Sequence, residues 1–389
     1  MMKHQFRVLV ALACNDPLYQ QGIIEYAGQA GWELDMSVAY YGNVPTHWTG
    51  DGILTYYLSG RLPLLDWVRK QKVPVVSLNA DEVPHWPGSA SDHRACGLLA
   101  AEHFFTLQLR NFAYFRCSDH AMAINRQKVF TEEIIKYGGA VHLLDWQILS
   151  TKRNPITLLG KKIEKLPKPL GIFCQSDQRA PILFNAIKTV GLHVPADIAI
   201  LAVGNNEKLC NLTNVPLSSI DINLRGIAWE GAALLDRMMR NKKTPSKLIV
   251  VPPVGVVRRR STLAVNSGHP KVNEAMQFIL SNFFKPINVN TVIRHVGVSR
   301  SGLSRLFETH LGYSISEMIL RTRMEQVRHD LLATDRKVSE ICEAAGFSSY
   351  EHFAKAFYRH QGCSASEFRE RHHQLNPPPN HRNRSNGGV

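Results

Sequence analysis

The chain has 389 residues, 44% hydrophobic and 20% charged, an ordinary globular composition that excludes a wholly disordered or collagen-like protein and implies two or three compact units. Forty-six Lys and Arg against 32 Asp and Glu leave a formal charge of +14, which favours a polyanionic partner, either nucleic acid or an anionic surface. The seven cysteines (Cys14, Cys96, Cys117, Cys174, Cys210, Cys342, Cys363) form no C-x-x-C pair and no Cys/His set at zinc spacing, so neither metal nor other cofactor is expected and a reducing compartment is.

The opening MMKHQFRVLVALAC loosely imitates a lipoprotein signal, but its apolar run is short for one and reads better as a buried first strand, Phe6–Ala13. From there to about residue 260 short apolar runs alternate with amphipathic stretches, the pattern of a parallel sheet with helices on both faces. A helix is predicted over Leu18–Gln29, then strands at Leu34–Ala39 and Gly52–Tyr57, a helix at Pro63–Lys70, a strand at Val73–Leu78 and a helix at Cys96–Leu107. Strand Phe112–Arg116, helix Ile124–Lys136, strand Gly171–Cys174, helix Pro181–Val190, strands Ile198–Val203 and Ser218–Ile222, and helix Arg225–Arg240 follow. Gly31, Gly138 and Gly191 stand where helices stop. No apolar run is long enough to span a membrane, so no membrane partner and a cytoplasmic location are expected.

After PPVGVVRRRST (Pro252–Thr262) the character changes. The reading is a first domain over residues 1–262, a small polar linker at 263–270, an all-helical domain over 271–375, and a disordered tail at 376–389 carrying three consecutive prolines. Inside the helical domain Leu303, Phe307, Gly312, Ser316 and Glu317 recur fifty residues later as Phe353, Phe357, Gly362, Ser366 and Glu367, so one supersecondary unit is used twice. In the first copy Val289–Val296 is a support helix, Gly297 the turn, Ser299 the cap, and Leu303, Leu306 and Phe307 the buried stripe. That leaves Arg300, Ser301, Ser304 and Arg305 facing outward. In the second, Val338–Ala345 supports, Gly346 turns, Ser348 or Ser349 caps, and Phe353, Ala356 and Phe357 are buried, leaving Tyr350, Glu351, Ala354 and Lys355 outside.

Such a helix pair fits the major groove, where Arg bonds guanine bidentately, Ser bonds donor or acceptor edges and Glu accepts from cytosine. The helix expected over Ile315–Ala333 would be about 28 Å long at ~1.5 Å per residue, so two readers joined by it could enter successive grooves of double-stranded DNA. The stretch VSEICEAAGFSSYEHFAKAFYRHQGCSASEFR (Val338–Arg369), within a match running from Val272 to Arg371, resembles the AraC/XylS family of transcription regulators. The resemblance implies base contacts at Ser301, Ser304, Arg305, Tyr350, Glu351, Ala354 and Lys355, an operator sequence as partner, a homodimer and contact with RNA polymerase. Ala365 departs from the family pattern, which places Pro at the entry to the last helix.

In a doubly wound sheet, ligands sit outside the carboxyl ends of strands. Asn15 and Asp16, Ser176 and Asp177, and Asn205 and Asn206 follow predicted strands there and suit hydroxyl groups, although Asp16 and Asp177 singly read as helix caps. GIFCQSDQRA (Gly171–Ala180), VPADIAILAVGNNE (Val194–Glu207), PLSSI (Pro216–Ile220) and PPVGVVRRRST resemble the LacI/GalR sugar-sensing domain, a two-lobed periplasmic-binding-protein fold, in the xylose-type version joined to AraC-type readers. That resemblance implies sugar contacts from Asp16, Arg126, Asp177 and Asn205 between two lobes, Arg126 reading otherwise as an exposed helical arginine. Where the xylose-type pattern has Asp then Asn, this chain has Gly204 then Asn205, which points to a ligand other than xylose or to weaker binding. The alternative is a ligand-insensitive or differently liganded regulator whose first domain serves in dimerisation. An enzyme is not expected: G-x-S-x-G, Walker-type, G-x-G-x-x-G and H-E-x-x-H motifs are all missing.

Overall fold

The computed structural model describes the chain except residues 1–4, 14–15, 46, 57–61, 82–85, 241–247, 264–268, 335 and 374–389. Two compact units emerge, the first built on Met1–Asp92 and Asn223–Pro252, the second on His93–Ile222 and Pro253–Glu370. In chain order the first unit takes β1 (Arg7–Leu12), α1 (Pro17–Ala30), β2 (Glu33–Asp35), α2 (Ser37–Tyr41), β3 (Gly52–Tyr56), α3 (Leu62–Arg69), β4 (Val75–Ser77) and β5 (Ser89–Ser91). The second takes α4 (His93–Thr106), β6 (Asn111–Arg116), α5 (Ala121–Lys136), β7 (Val141–Asp145), α6 (Trp146–Ser150), α7 (Pro155–Glu164), β8 (Leu170–Cys174), α8 (Ala180–Thr189), β9 (Ile198–Val203), α9 (Glu207–Cys210) and β10 (Ser218–Asp221). The chain returns to the first unit for α10 (Leu224–Met239) and β11 (Ile249–Val251), then to the second for β12 (Gly255–Val257). The helical part follows as α11 (Pro270–Asn282), α12 (Val289–Val296), α13 (Arg300–Leu311), α14 (Ile315–Ala333), α15 (Val338–Ala344), α16 (Tyr350–Gln361) and α17 (Ala365–His373).

The first unit holds a parallel sheet of order β2-β1-β3-β4 and a parallel pair β11-β5. Alternation along β1 puts Leu9 and Ala11 on the face covered by α2 and α3. At Gly52 an added Cβ would meet Met239 and Leu235 of α10, so that helix covers the opposite face. Helix α1 packs tightly on α10, where Gly22 lets the backbones approach: an added Cβ would lie 2.3 Å from the Arg225 carbonyl oxygen.

In the second unit the sheet order is β12-β10-β9-β8-β6-β7, parallel except for β12. Phe112, Tyr114, Phe173, Ala199, Leu201 and Val203 point to the face under α4 and α5, whereas Ala113, Phe115, Ile172, Ile198, Ile200 and Ala202 meet α7 and α8. Burial on both faces is why these strands read as continuous apolar runs. The predicted sensor architecture, an α/β fold followed by an all-helical reader, is the one observed.

Several elements differ from the sequence reading. The strand expected over Leu34–Ala39 ends at Asp35, whose carboxylate accepts from both the backbone N–H and the hydroxyl of Ser37 and turns the chain into α2. Strands β5, β7, β11 and β12 and helices α6, α7 and α9 were not predicted; the extra strands are three to five residues long, too short for a clear period. Arg126 is buried inside α5 rather than exposed on it. The linker core at 264–268 and the tail at 376–389 lie outside the described residues.

The helical repeat is as expected. Helices α13 and α16 are each twelve residues long, capped by Ser299 and Ser349 and stopped by left-handed Gly312 and Gly362. Ser364 and Glu367 cap the start of α17 reciprocally, so Ala365 enters that helix without proline and its methyl is buried. Phe357→Ala should therefore cost about 3–5 kcal/mol, since the ring is fully buried. Tyr358→Ala, at a side chain 60% exposed, should stay within ~0.5 kcal/mol. Amide-exchange protection of α15 to α17 in the full chain measures both.

Candidate functional site

Each reader is built by the same local rules. In the first, the Asn288 side chain and Thr291 form a reciprocal cap on α12, Gly297 ends it at φ +69°, and Ser299 accepts from the Gly302 N–H at 3.1 Å to start α13. An added Cβ at Gly302 would sit 2.9 Å from that cap hydroxyl. Leu303 and Phe307 are fully buried, and Arg300, Ser301 and Arg305 are exposed with Ser304 half-buried. In the second reader Ser349, not Ser348, is the cap. Tyr350, Glu351 and Lys355 are exposed and Ala354 is half-buried against the reader's core. Lys355 and Glu351 form an ion pair of 2.7 Å on this outward face. So exposed a pair contributes little, and parting it for another partner costs little.

At the strand ends of the second unit, four of the six predicted ligand residues come together. Arg126 donates from Nη1 to the Gln175 carbonyl at 3.1 Å, and its buried Nε has no hydrogen-bond partner among the described residues. The Gln175 side chain holds the turn after β6, accepting from the Cys117 and Ser118 N–H groups and donating to the Ser118 hydroxyl. Half-buried Ser176 follows it. Asp177 is 2% exposed; its carboxylate accepts from the Ser219 hydroxyl at 2.6 Å and the Asn206 N–H at 2.8 Å. Burial pushes its pKa above the usual carboxylate value, against those hydrogen bonds and the charge of Arg259. Asn205, in the left-handed region at φ +54°, donates to Asp221 at 3.1 Å and accepts from Arg259 at 2.8 Å. Gly204 has φ +131°, and a Cβ there would lie 3.0 Å from an Asp177 oxygen. A second carboxylate at position 204 is thus opposed by sterics, backbone and charge together.

The remaining predicted ligand residues differ. Asp16 belongs to the first unit and caps α1 by accepting from the Leu18 N–H at 3.0 Å. Asn15 lies outside the described residues. Sequence reasoning missed Gln175, Ser219, Asp221 and Arg259, although Gln175, Ser219 and Arg259 lie within the motifs that carried the resemblance and only Asp221 lies outside them.

A third cluster joins the sheet of the second unit to the reader. Arg258, after β12, forms an ion pair with Glu325 of α14 and donates to the Thr106 hydroxyl at the end of α4. His103 of α4 is 2% exposed, with neither ring nitrogen hydrogen-bonded among the described residues. With Leu99, Glu102, Val254, Val256, Glu325 and Arg328 it lines a small crevice. Burial, and then Arg258, holds the imidazole pKa well below its ordinary value, whereas burial raises that of Glu325.

Residues 101–262 match the model of the periplasmic binding protein-like domain, and residues 292–371 match that of a helix-turn-helix domain. The xylose operon regulatory protein of Escherichia coli (strain K12) is 26% identical over 90% of this chain and 92% of that relative. The chain is a helix-turn-helix transcription regulator of the AraC type. The regulator is also 25% identical to the Haemophilus influenzae xylose operon regulatory protein, over 95% of this chain and 99% of that one. Its fold matches the solved structure of the xylose-binding transcription activator xylR with a TM-score of 0.60, at 24% identity over 95% of this chain and 99% of that chain. Among the described residues no helix is long and apolar enough to cross a membrane.

The buried histidine should make the regulator less stable in acid. His103 is neutral when folded, but its unfolded form takes up a proton below pH ~6.5, so the stability it permits above that value is lost as pH falls toward its depressed folded pKa. Glu325, with its raised pKa, opposes this by binding a proton in the folded state, and Glu102, Arg258 and Arg328 complete the charged surroundings. Urea unfolding from about pH 7 to 5 should thus show His103→Leu less acid-sensitive than wild type by up to ~1.4 kcal/mol per pH unit.

Proposed function

We propose that the regulator binds a specific operator through both readers and is controlled by a small polyhydroxylated ligand, a sugar or sugar derivative, at the strand ends of its sensor. The observation that carries the effector reading is the Arg126, Gln175, Asn205, Asp221 and Arg259 constellation, where guanidinium, amide and carboxylate groups converge. Sugar hydroxyls are both donors and acceptors, and such alternation matches them. The names of the Escherichia coli and Haemophilus influenzae relatives support a pentose. Gly204 favours a ligand distinct from xylose, since the position that would add a carboxylate is closed by Asp177. Asp16 and Asp177 then serve structural roles, while Arg126, Ser176 and Asn205 remain ligand groups.

On the DNA side, Arg300, Ser301, Ser304 and Arg305 meet base edges or phosphates from α13, and Tyr350, Glu351, Ala354 and Lys355 do so from α16, Ala354 by permitting close approach. The ligand signal passes through Arg258 and Glu325 to α14, because that pair ties the sensor's last strand to the helix that carries both readers. We place the sensor at residues 1–262, the linker at 263–270 and the reader at 271–375. We further propose that it acts in the cytoplasm as a homodimer that touches RNA polymerase, and as an activator, the role named for xylR.

Two measurements test this reading. Arg305→Ala should lose about 1–3 kcal/mol on a duplex selected from a random pool and relax preference at one base pair; equal loss on all sequences would reassign it to phosphate. In a thermal-shift series of pentoses, hexoses and sugar acids on the full chain, a true effector should stabilise by about 2.7 kcal/mol at a hundredfold excess over its Kd. It should also alter operator affinity by the same factor by which operator alters its own. A series without any shift would favour a sensor used for dimerisation.

A further inference from the structure

The two readers are not merely strung on a helix; they are clamped to each other across it. Arg323 lies near the middle of α14 and is half-buried. Its guanidinium donates to three carbonyl oxygens in the segment between α11 and α12 of the first reader: Phe283 at 2.9 Å, Lys285 at 3.0 Å and Ile287 at 3.1 Å. Helix α11 ends at this segment, where helix carbonyls lack intrahelical partners and a cation is favourably placed. The same guanidinium stands over the ring of Phe347, 5.5 Å from its centroid, in the turn of the second reader. Gly346, immediately before, has φ +83°, and an added Cβ would lie 2.3 Å from the Phe283 oxygen. The turn of one reader thus abuts the connecting segment of the other.

We propose that Arg323 is a positioning residue for DNA recognition: it fixes the angle and separation of α13 and α16 and thereby the spacing of the two operator elements that the chain accepts. The proposal rests on the reading that both readers touch DNA. A planar fork that engages three carbonyls and a ring at once restrains rotation as well as distance, which a lysine ammonium does not. Inserting one base pair between two elements rotates one about 34° relative to the other on B-form DNA, so a rigid pair should reject it.

The experiment uses the full chain and a duplex selected from a random pool by the wild type, with derivatives in which either element is scrambled or one base pair is inserted between them. Wild type should lose at least about tenfold in affinity on insertion. Arg323→Met should bind the parent duplex about tenfold or more weakly, yet lose only about threefold on insertion, with Arg323→Lys between the two. A folded Arg323→Met that keeps the wild-type insertion penalty overturns the proposal. If helical content or the melting transition shows that this variant is unfolded, Arg323→Lys decides by the same criterion. A wild type indifferent to scrambling of either element overturns instead the two-reader reading beneath it.

Discussion

The reader depends on the single apolar stripe of α14, which is divided between two cores. Met318 and Ile319 are buried with Val272, Met276, Leu303 and Phe307 of the first reader. Met324, Val327 and Leu331 are buried with Ile341, Phe353 and Phe357 of the second. A short helix pair exposes too much apolar surface to be stable alone, and each here completes its core by covering one half of the same helix. Spacing of the two reading faces follows from that shared helix, and Arg323 adds directional hydrogen bonds where the two cores meet.

The first reader's core in turn runs on into the sensor. The apolar cluster that contains Phe307 and Leu311 also contains Phe104, Leu107 and Phe112. Around that contact sit groups that are costly to bury unless paired: the Arg258 and Glu325 charges, and the neutral His103. Tyr313, between α13 and α14, reaches the Thr106 carbonyl at 3.5 Å and lies under the Arg321 guanidinium. A sensor sheet that shifts against α4 must disturb this packing, because close-packed interiors deform in discrete rearrangements rather than continuously. Asn205 follows β9 and Arg259 follows β12, two strands of one sheet, and Arg258, next to Arg259 in the chain, meets Glu325 of α14.

The sequence alone was sufficient for the elements with strong local signals. The sensor strands buried on both faces, the left-handed glycines at helix ends, the Ser299 cap and the fifty-residue repeat were legible because each is decided by a few neighbouring residues and their period. The outward faces of α13 and α16 followed from the same periodicity, since burial of Leu303, Phe307, Phe353 and Phe357 leaves their neighbours outside. Tertiary structure decided what those periods cannot carry. Short strands such as β12 exist only because β10 offers its edge. Arg126 is buried because the turn at Gln175 supplies a carbonyl, and Asp177 is saturated because Ser219 and Asn206, 42 and 29 residues away, point donors at it. Arg258 meets Glu325, and Arg323 meets Phe283, across similarly long stretches of chain. The physical reason is common to all of them: local sequence sets backbone conformation and which face is apolar, but the partner of a buried polar group is chosen by packing between segments remote in sequence.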